Sequence, residues 1–138
     1  ARSATLLMPN GAEFALDGGN RCVTVVGDGR EYRLVRQALP QALLPAHSTW
    51  RLSARMRGER VEKGDAGWKT ACLRWSVTAK GRTNFTTVSL PLGDSPWRDY
   101  AVQVELPEDV SEVEVEAGLN GNRGQVWVDD VAVERVDR

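Results

Sequence analysis

The feature that most restricts this chain is an alternation of apolar and polar side chains with a period of two. Trp50, Leu52, Ala54 and Met56 alternate with Arg51, Ser53, Arg55 and Arg57, and Val113, Val115, Ala117 and Leu119 alternate with Glu112, Glu114 and Glu116. Successive side chains of a strand point to opposite faces, so each stretch reads as a strand with one face in a core. No window carries a helical stripe of apolar residues with caps, so helix should be minimal. Strands are predicted over residues 13–16, 21–26, 31–37, 50–58, 68–78, 83–90, 98–106, 111–119 and 125–135. Between them, segments rich in Gly, Pro, Asn and Asp (17–20, 27–29, 40–45, 58–67, 91–96, 107–109 and 120–124) favour turns. Many short strands with such punctuation predict an all-β sandwich of two antiparallel sheets.

The 138 residues fit one domain, 1–138, large enough to bury its own core. Lys plus Arg number 18 against 19 Asp plus Glu, so no long-range field favours nucleic acid or an anionic membrane surface. No apolar run approaches the roughly 20 residues that span a bilayer. A chain opening Ala1-Arg2-Ser3 is expected to be a processed product or an excised module. Cys22 and Cys72 sit on different predicted strands, where the Cα spacing of a disulfide is rarely met. With His47 the only histidine and no Cys-x-x-Cys, metal ligation by sulfur is weaker still.

Residues 67–90 read as one hairpin with two different faces. Ala71, Leu73, Trp75 and Val77 form an apolar side, while Trp68, Thr70, Cys72, Arg74 and Ser76 form a mixed one. A turn at Ala79-Lys80-Gly81-Arg82 pairs Ser76 with Phe85, Arg74 with Thr87, Cys72 with Ser89 and Leu73 with Val88. The mixed face then carries Trp68, Arg74 and Phe85 among small hydroxyl residues. Flat rings beside a planar guanidinium suit a saccharide, with its apolar C–H faces and many hydroxyls. Arg74 or Arg33 is also the expected cation beside the three glutamates of 112–116, and Glu134 and Asp130 are expected to balance the arginines of 51–57.

In order along the chain, these residues resemble the β-sandwich carbohydrate-binding modules of the family 4, 9 and 22 type. The resemblance rests on Leu6-Leu7 through Asn10-Gly11 to Phe14, on Gln37-Ala38-Leu39 followed by Trp50-Arg51-Leu52-Ser53-Ala54, on Trp97-Arg98-Asp99-Tyr100 with Leu106-Pro107, and on Val126-Trp127-Val128-Asp129-Asp130-Val131. It implies a galactose-binding-like jelly roll and a groove on the concave sheet, made by the strands near Arg33, Glu116, Arg74 and Phe85. It further implies binding of a β-glucan or xylan chain, an attached glycoside hydrolase, secretion from a bacterium and a monomer, with no nucleic-acid or membrane partner. Trp68 and Phe85 would stack on sugar rings, and Arg74, Gln37, Glu116 and Asn120 would hydrogen-bond hydroxyls. Gln37 and Asn120 can equally satisfy loop backbone.

Binding requires no cofactor, but such modules commonly hold a structural calcium. Here Ala15 stands where the family has a Glu, with Glu13 on the other side of Phe14. Calcium takes about six to eight oxygen ligands, of which Glu13, Asp129 and Asp130 would supply two or three; the Asp pair can equally bracket a strand end. Trp50, Trp75, Trp97 and Trp127 are expected in the core. The alternation Glu112, Glu114, Glu116 invites a glycosidase reading, but a short chain with a solvated acidic strand is the better description. A structural or protein-interaction module of the same fold, with the hairpin aromatics packed on a catalytic domain, is the alternative function.

Overall fold

The computed structural model of the protein describes residues 6–40 and 44–137, so part of the predicted loop 40–45 lies outside the described residues. Among them there are ten strands and no helix: β1 (Leu6–Leu7), β2 (Ala12–Asp17), β3 (Asn20–Asp28), β4 (Tyr32–Ala38), β5 (Thr49–Val61), β6 (Ala71–Ala79), β7 (Arg82–Ser89), β8 (Gly93–Glu105), β9 (Val110–Asn120) and β10 (Arg123–Arg135). They form two five-stranded antiparallel sheets, ordered β1-β4-β9-β6-β7 and β2-β3-β10-β5-β8. This is the expected jelly-roll sandwich, and β4, β9, β6 and β7 are the neighbours the resemblance implies.

The core lies between the sheets and is built from the predicted apolar parity. Leu73, Trp75 and Val77 of β6 and Val113, Val115 and Leu119 of β9 join Leu52, Ala54 and Met56 of β5 and Val126 and Val128 of β10 in one buried cluster. Each of the valines, leucines and the methionine contributes about 1.5–3 kcal/mol on full burial. Trp75 also ties the sheets together, its Nε1 donating to the Val102 carbonyl of β8 at 2.9 Å.

The β6–β7 hairpin has the predicted register: Ser76 faces Phe85, Arg74 faces Thr87, and Cys72 faces Ser89. Lys80 and Gly81 make the two-residue turn with φ of 53° and 74°. Left-handed values at both positions match the strand twist, and glycine takes the second without a Cβ penalty. Trp68, the first residue of the predicted strand 68–78, falls in the loop before β6, which begins only at Ala71. Pro96, expected in a turn, lies inside β8, which is an edge strand of its sheet and needs no ladder donor on its open side.

Of the four tryptophans assigned to the core, Trp127 is buried but not between the sheets, and Trp97 is only half-buried. Val126 and Val128 fill the interior, so alternation turns Trp127 to the opposite face, where it lies between Thr24 and Arg57 in the ladder. The Arg57 guanidinium stacks 3.5 Å from the Trp127 ring centroid. Arg57 grips Asp17 through Nε at 2.9 Å and Nη2 at 3.0 Å, and Glu59 through Nη1 at 2.8 Å. Trp97 donates Nε1 to the same Asp17 carboxylate at 2.8 Å. On this face Arg51 pairs with Glu134 at 2.9 Å as expected, whereas Arg55 meets Asp99 at 3.4 Å. Cys22 and Cys72 lie in different sheets, buried and unbonded; burial pushes the Cys72 thiol up to about 11.

Candidate functional site

The outer face of the first sheet is assembled from rows that cross its strands. Thr87, Arg74, Glu116, Arg36 and Leu7 form one row, from β7 through β6, β9 and β4 to β1. Phe85, Ser76, Glu114 and Ala38 form the next. Glu116 and Arg74 were expected on a solvated surface, yet their side chains are only 6% and 11% exposed. They satisfy each other: Arg74 Nε donates to Glu116 Oε1 at 2.7 Å. The same guanidinium lies 4.1 Å from the Phe85 ring centroid, so one side chain is fixed by a carboxylate and an aromatic ring together.

Around this centre the face has two depressions. The larger, about 540 Å³, is lined by Trp68, Phe85, Thr87, Ser89, Arg74, Asn120 and Tyr32. The smaller, about 300 Å³, continues past Tyr32 and Arg74 to Leu34, Arg36, Met8 and Leu7. Trp68 is 67% exposed and Phe85 52%, large apolar surfaces held open to solvent beside hydroxyl side chains. Thr70 and Ser89 hydroxyls meet at 3.0 Å between them.

Of the sequence-predicted residues, Trp68, Arg74, Phe85, Glu116 and Asn120 come together here. Gln37 does not. The β4–β9 register sets it opposite Val115, on the parity of Val35, so it faces the interval between the sheets. Arg36, opposite Glu116, takes the place foreseen for it. Asn120 is buried, and its Nδ2 donates to the Trp68 carbonyl at 3.0 Å, the loop-backbone role. Sequence reasoning missed Tyr32. Its alternation with Leu34 and Arg36 was the available signal, obscured because the other parity of β4 also mixes a charge with apolar residues.

The acidic strand is electrostatically uneven. Glu114 meets Arg36 at 3.6 Å. Burial, then the hydrogen bond to Glu116, push the Glu114 carboxyl above the ordinary glutamate value; the charges of Glu116 and Glu112 add to this and Arg36 opposes it. As for calcium, Glu13 stands on β2 and Asp129 and Asp130 on β10, and among the described residues no group of three or more His, Cys, Asp or Glu side chains is placed to hold a metal ion. Asp129 instead accepts from the Asp130 amide at 2.9 Å.

No family model matches the chain and no curated protein matches it in sequence. Solved structures do match in fold: the chain is similar to the β-sandwich of carbohydrate-binding modules. One is the C-terminal family 22 module of Clostridium thermocellum Xyn10B, 16% identical, with a TM-score of 0.67 over 96% of this chain and 88% of that one. A second is the CBM22-1 xylan-binding domain of Paenibacillus barcinonensis Xyn10C, 12% identical, with a TM-score of 0.62 over 100% of this chain and 99% of that one. A third is the CBM22-1 and GH10 modules of the N-terminal endo-1,4-beta-D-xylanase 10B of Clostridium thermocellum with xylohexaose; identity is 12%, the TM-score 0.60, and the match spans 99% of this chain and 28% of that one.

Proposed function

We propose that this chain is a non-catalytic carbohydrate-binding module that takes a β-glucan or xylan-type chain across the outer face of the first sheet. The carrying observation is the pair of exposed rings, Trp68 and Phe85, lining one depression with the guanidinium of Arg74. Sugar rings stack on the two aromatics through their C–H faces, and Arg74, Glu116 and the surrounding hydroxyls exchange hydrogen bonds with the sugar. A few such contacts on a largely solvated chain correspond to a micromolar to millimolar Kd, about −4 to −8 kcal/mol. The xylan and xylohexaose named for the similar structures support this ligand class. The GH10 module joined to one of them supports a role in bringing an attached glycoside hydrolase to its substrate; secretion from a bacterium is part of the same proposal. Binding as proposed acts as a monomer and uses no cofactor.

Exposed aromatics also suit anchors of a protein interface, so a module that packs its hairpin on a catalytic domain is the second reading. Calorimetric titration with xylohexaose and with a β-glucan hexaose, alongside an assay for new reducing ends, separates the possibilities. Saturable heat with one oligosaccharide and no release of reducing ends is expected. Heat with neither favours the interface; released ends contradict a non-catalytic module.

A further inference from the structure

We propose that Asn120 is a positioning residue that sets the height and tilt of Trp68, and that it does not itself hold the sugar; this rests on the reading of Trp68 as a stacking platform. Trp68 has no strand to fix it, since β6 begins at Ala71. Its carbonyl accepts from Thr70 N–H at 3.1 Å and from Asn120 Nδ2 at 3.0 Å. Asn120 takes a second grip on the same turn, its backbone N–H donating to the Thr70 carbonyl at 3.1 Å. One buried residue at the end of β9 thus holds both sides of the Trp68 turn across a gap of about fifty residues of chain.

The rest of the loop closes on itself. Gly64 N–H donates to the Lys69 carbonyl at 2.8 Å, Lys69 N–H donates to the Ala66 carbonyl at 3.0 Å, and Lys69 Nζ meets Asp65 at 2.8 Å. It is a compact unit fastened at its start through Glu62, whose N–H donates to the Arg123 carbonyl at 3.0 Å and whose carbonyl accepts from Asn122 Nδ2 at 2.8 Å, and at the Trp68 end through Thr70 and Asn120. The following residue extends the mount to a second ring. Gly121 has φ of +84°, and a Cβ there would stand 3.0 Å from Tyr32 Cε1 and 3.3 Å from Lys69 Cδ. The corner Asn120-Gly121 accordingly seats Tyr32 and the Trp68 loop together, fixing the separation of two aromatic walls of the larger depression. Holding a contact group in its bound geometry raises affinity by cutting the ordering cost of binding.

The test pairs a ligand-free readout with a mutant cycle. Asn120→Asp keeps the shape and removes the amide donor; Asn120→Ala is the second variant. Amide hydrogen exchange followed by NMR should show faster exchange at Gly64, Lys69 and Thr70 in both, with the β6 and β9 ladder amides unchanged. Retardation by soluble xylan should weaken by about three- to tenfold, the size of one hydrogen bond. In a Trp68→Ala background the Asn120 substitutions should change affinity no further. Unchanged exchange in the loop overturns the proposal, as does an Asn120 effect of equal size without Trp68, which would make Asn120 a direct sugar contact. Should Trp68→Ala bind xylan like the wild type, the platform reading fails, and the exchange data still decide whether Asn120 fastens the loop.

Discussion

Arg74 Nε stands 2.7 Å from Glu116 Oε1, in a pair whose side chains are both nearly closed to water. Ion pairs so placed gain less than their Coulomb attraction suggests, because each charge has left water, but breaking one strands the other. Glu116→Ala should therefore lower folding stability by about 3–5 kcal/mol, read by urea denaturation. Replacing both partners, Arg74→Met with Glu116→Leu, should recover most of that loss and still leave glycan binding abolished. Recovery of binding along with stability would show that the pair only builds the fold.

Phe85 separates the same two roles in the other direction. Its ring is half exposed and supports Arg74 from the side. Phe85→Ala gives up a cation–π contact of about 0.5–1 kcal/mol in stability. Affinity for the glycan should fall further, by about tenfold or 1.4 kcal/mol, in a calorimetric titration. A loss of stability with affinity unchanged would remove Phe85 from the site.

Glu114 makes the centre of the face sensitive to pH. Its folded pKa lies above the ordinary glutamate value, chiefly through burial. A carboxyl raised in this way contributes stability below its unfolded pKa and loses it as pH rises through the folded pKa. Glu114→Gln, neutral throughout, should match the wild type in Tm below about pH 4 and exceed it at neutral pH. The opposite trend, a variant weaker only at neutral pH, would mean that the ionised carboxylate is the stabilising form.

Asp17 has the opposite sign. The hydrogen bonds from Arg57 and then Trp97 hold its carboxyl below the ordinary aspartate value. Its contribution is present above the unfolded pKa and is lost as pH falls through the folded one. Asp17→Asn should lower Tm at neutral pH, and the gap to the wild type should narrow below about pH 4. A gap that holds constant into acid would show that the Asp17 charge is not what links Arg57 and Trp97.

What was legible in the sequence follows the range of the interactions that decide it. The β6–β7 register could be read because a two-residue turn at Lys80-Gly81 and strict alternation on β6 act locally and agree. Gln37 could not be placed, because the facing of β4 is imposed by β9, some eighty residues on, and both parities of 32–37 mix charge with apolar groups. Trp97 and Trp127 look like core residues by type. On the far face of the second sheet they meet Arg57 and Asp17, partners that come together only after folding. Trp68 was found by its exposed setting, while its anchor, Asn120, depends on a contact that no strand pattern encodes.

Native affinity electrophoresis tests the central claim most directly, with wild type and Trp68→Ala run side by side through gels containing xylan, mixed-linkage glucan, xyloglucan, glucomannan or hydroxyethylcellulose. The account predicts retardation of the wild type by at least one of them, sharply weakened in the variant while its mobility in a glycan-free gel is unchanged. Equal retardation of both proteins, or retardation of neither, would contradict a glycan groove built on Trp68.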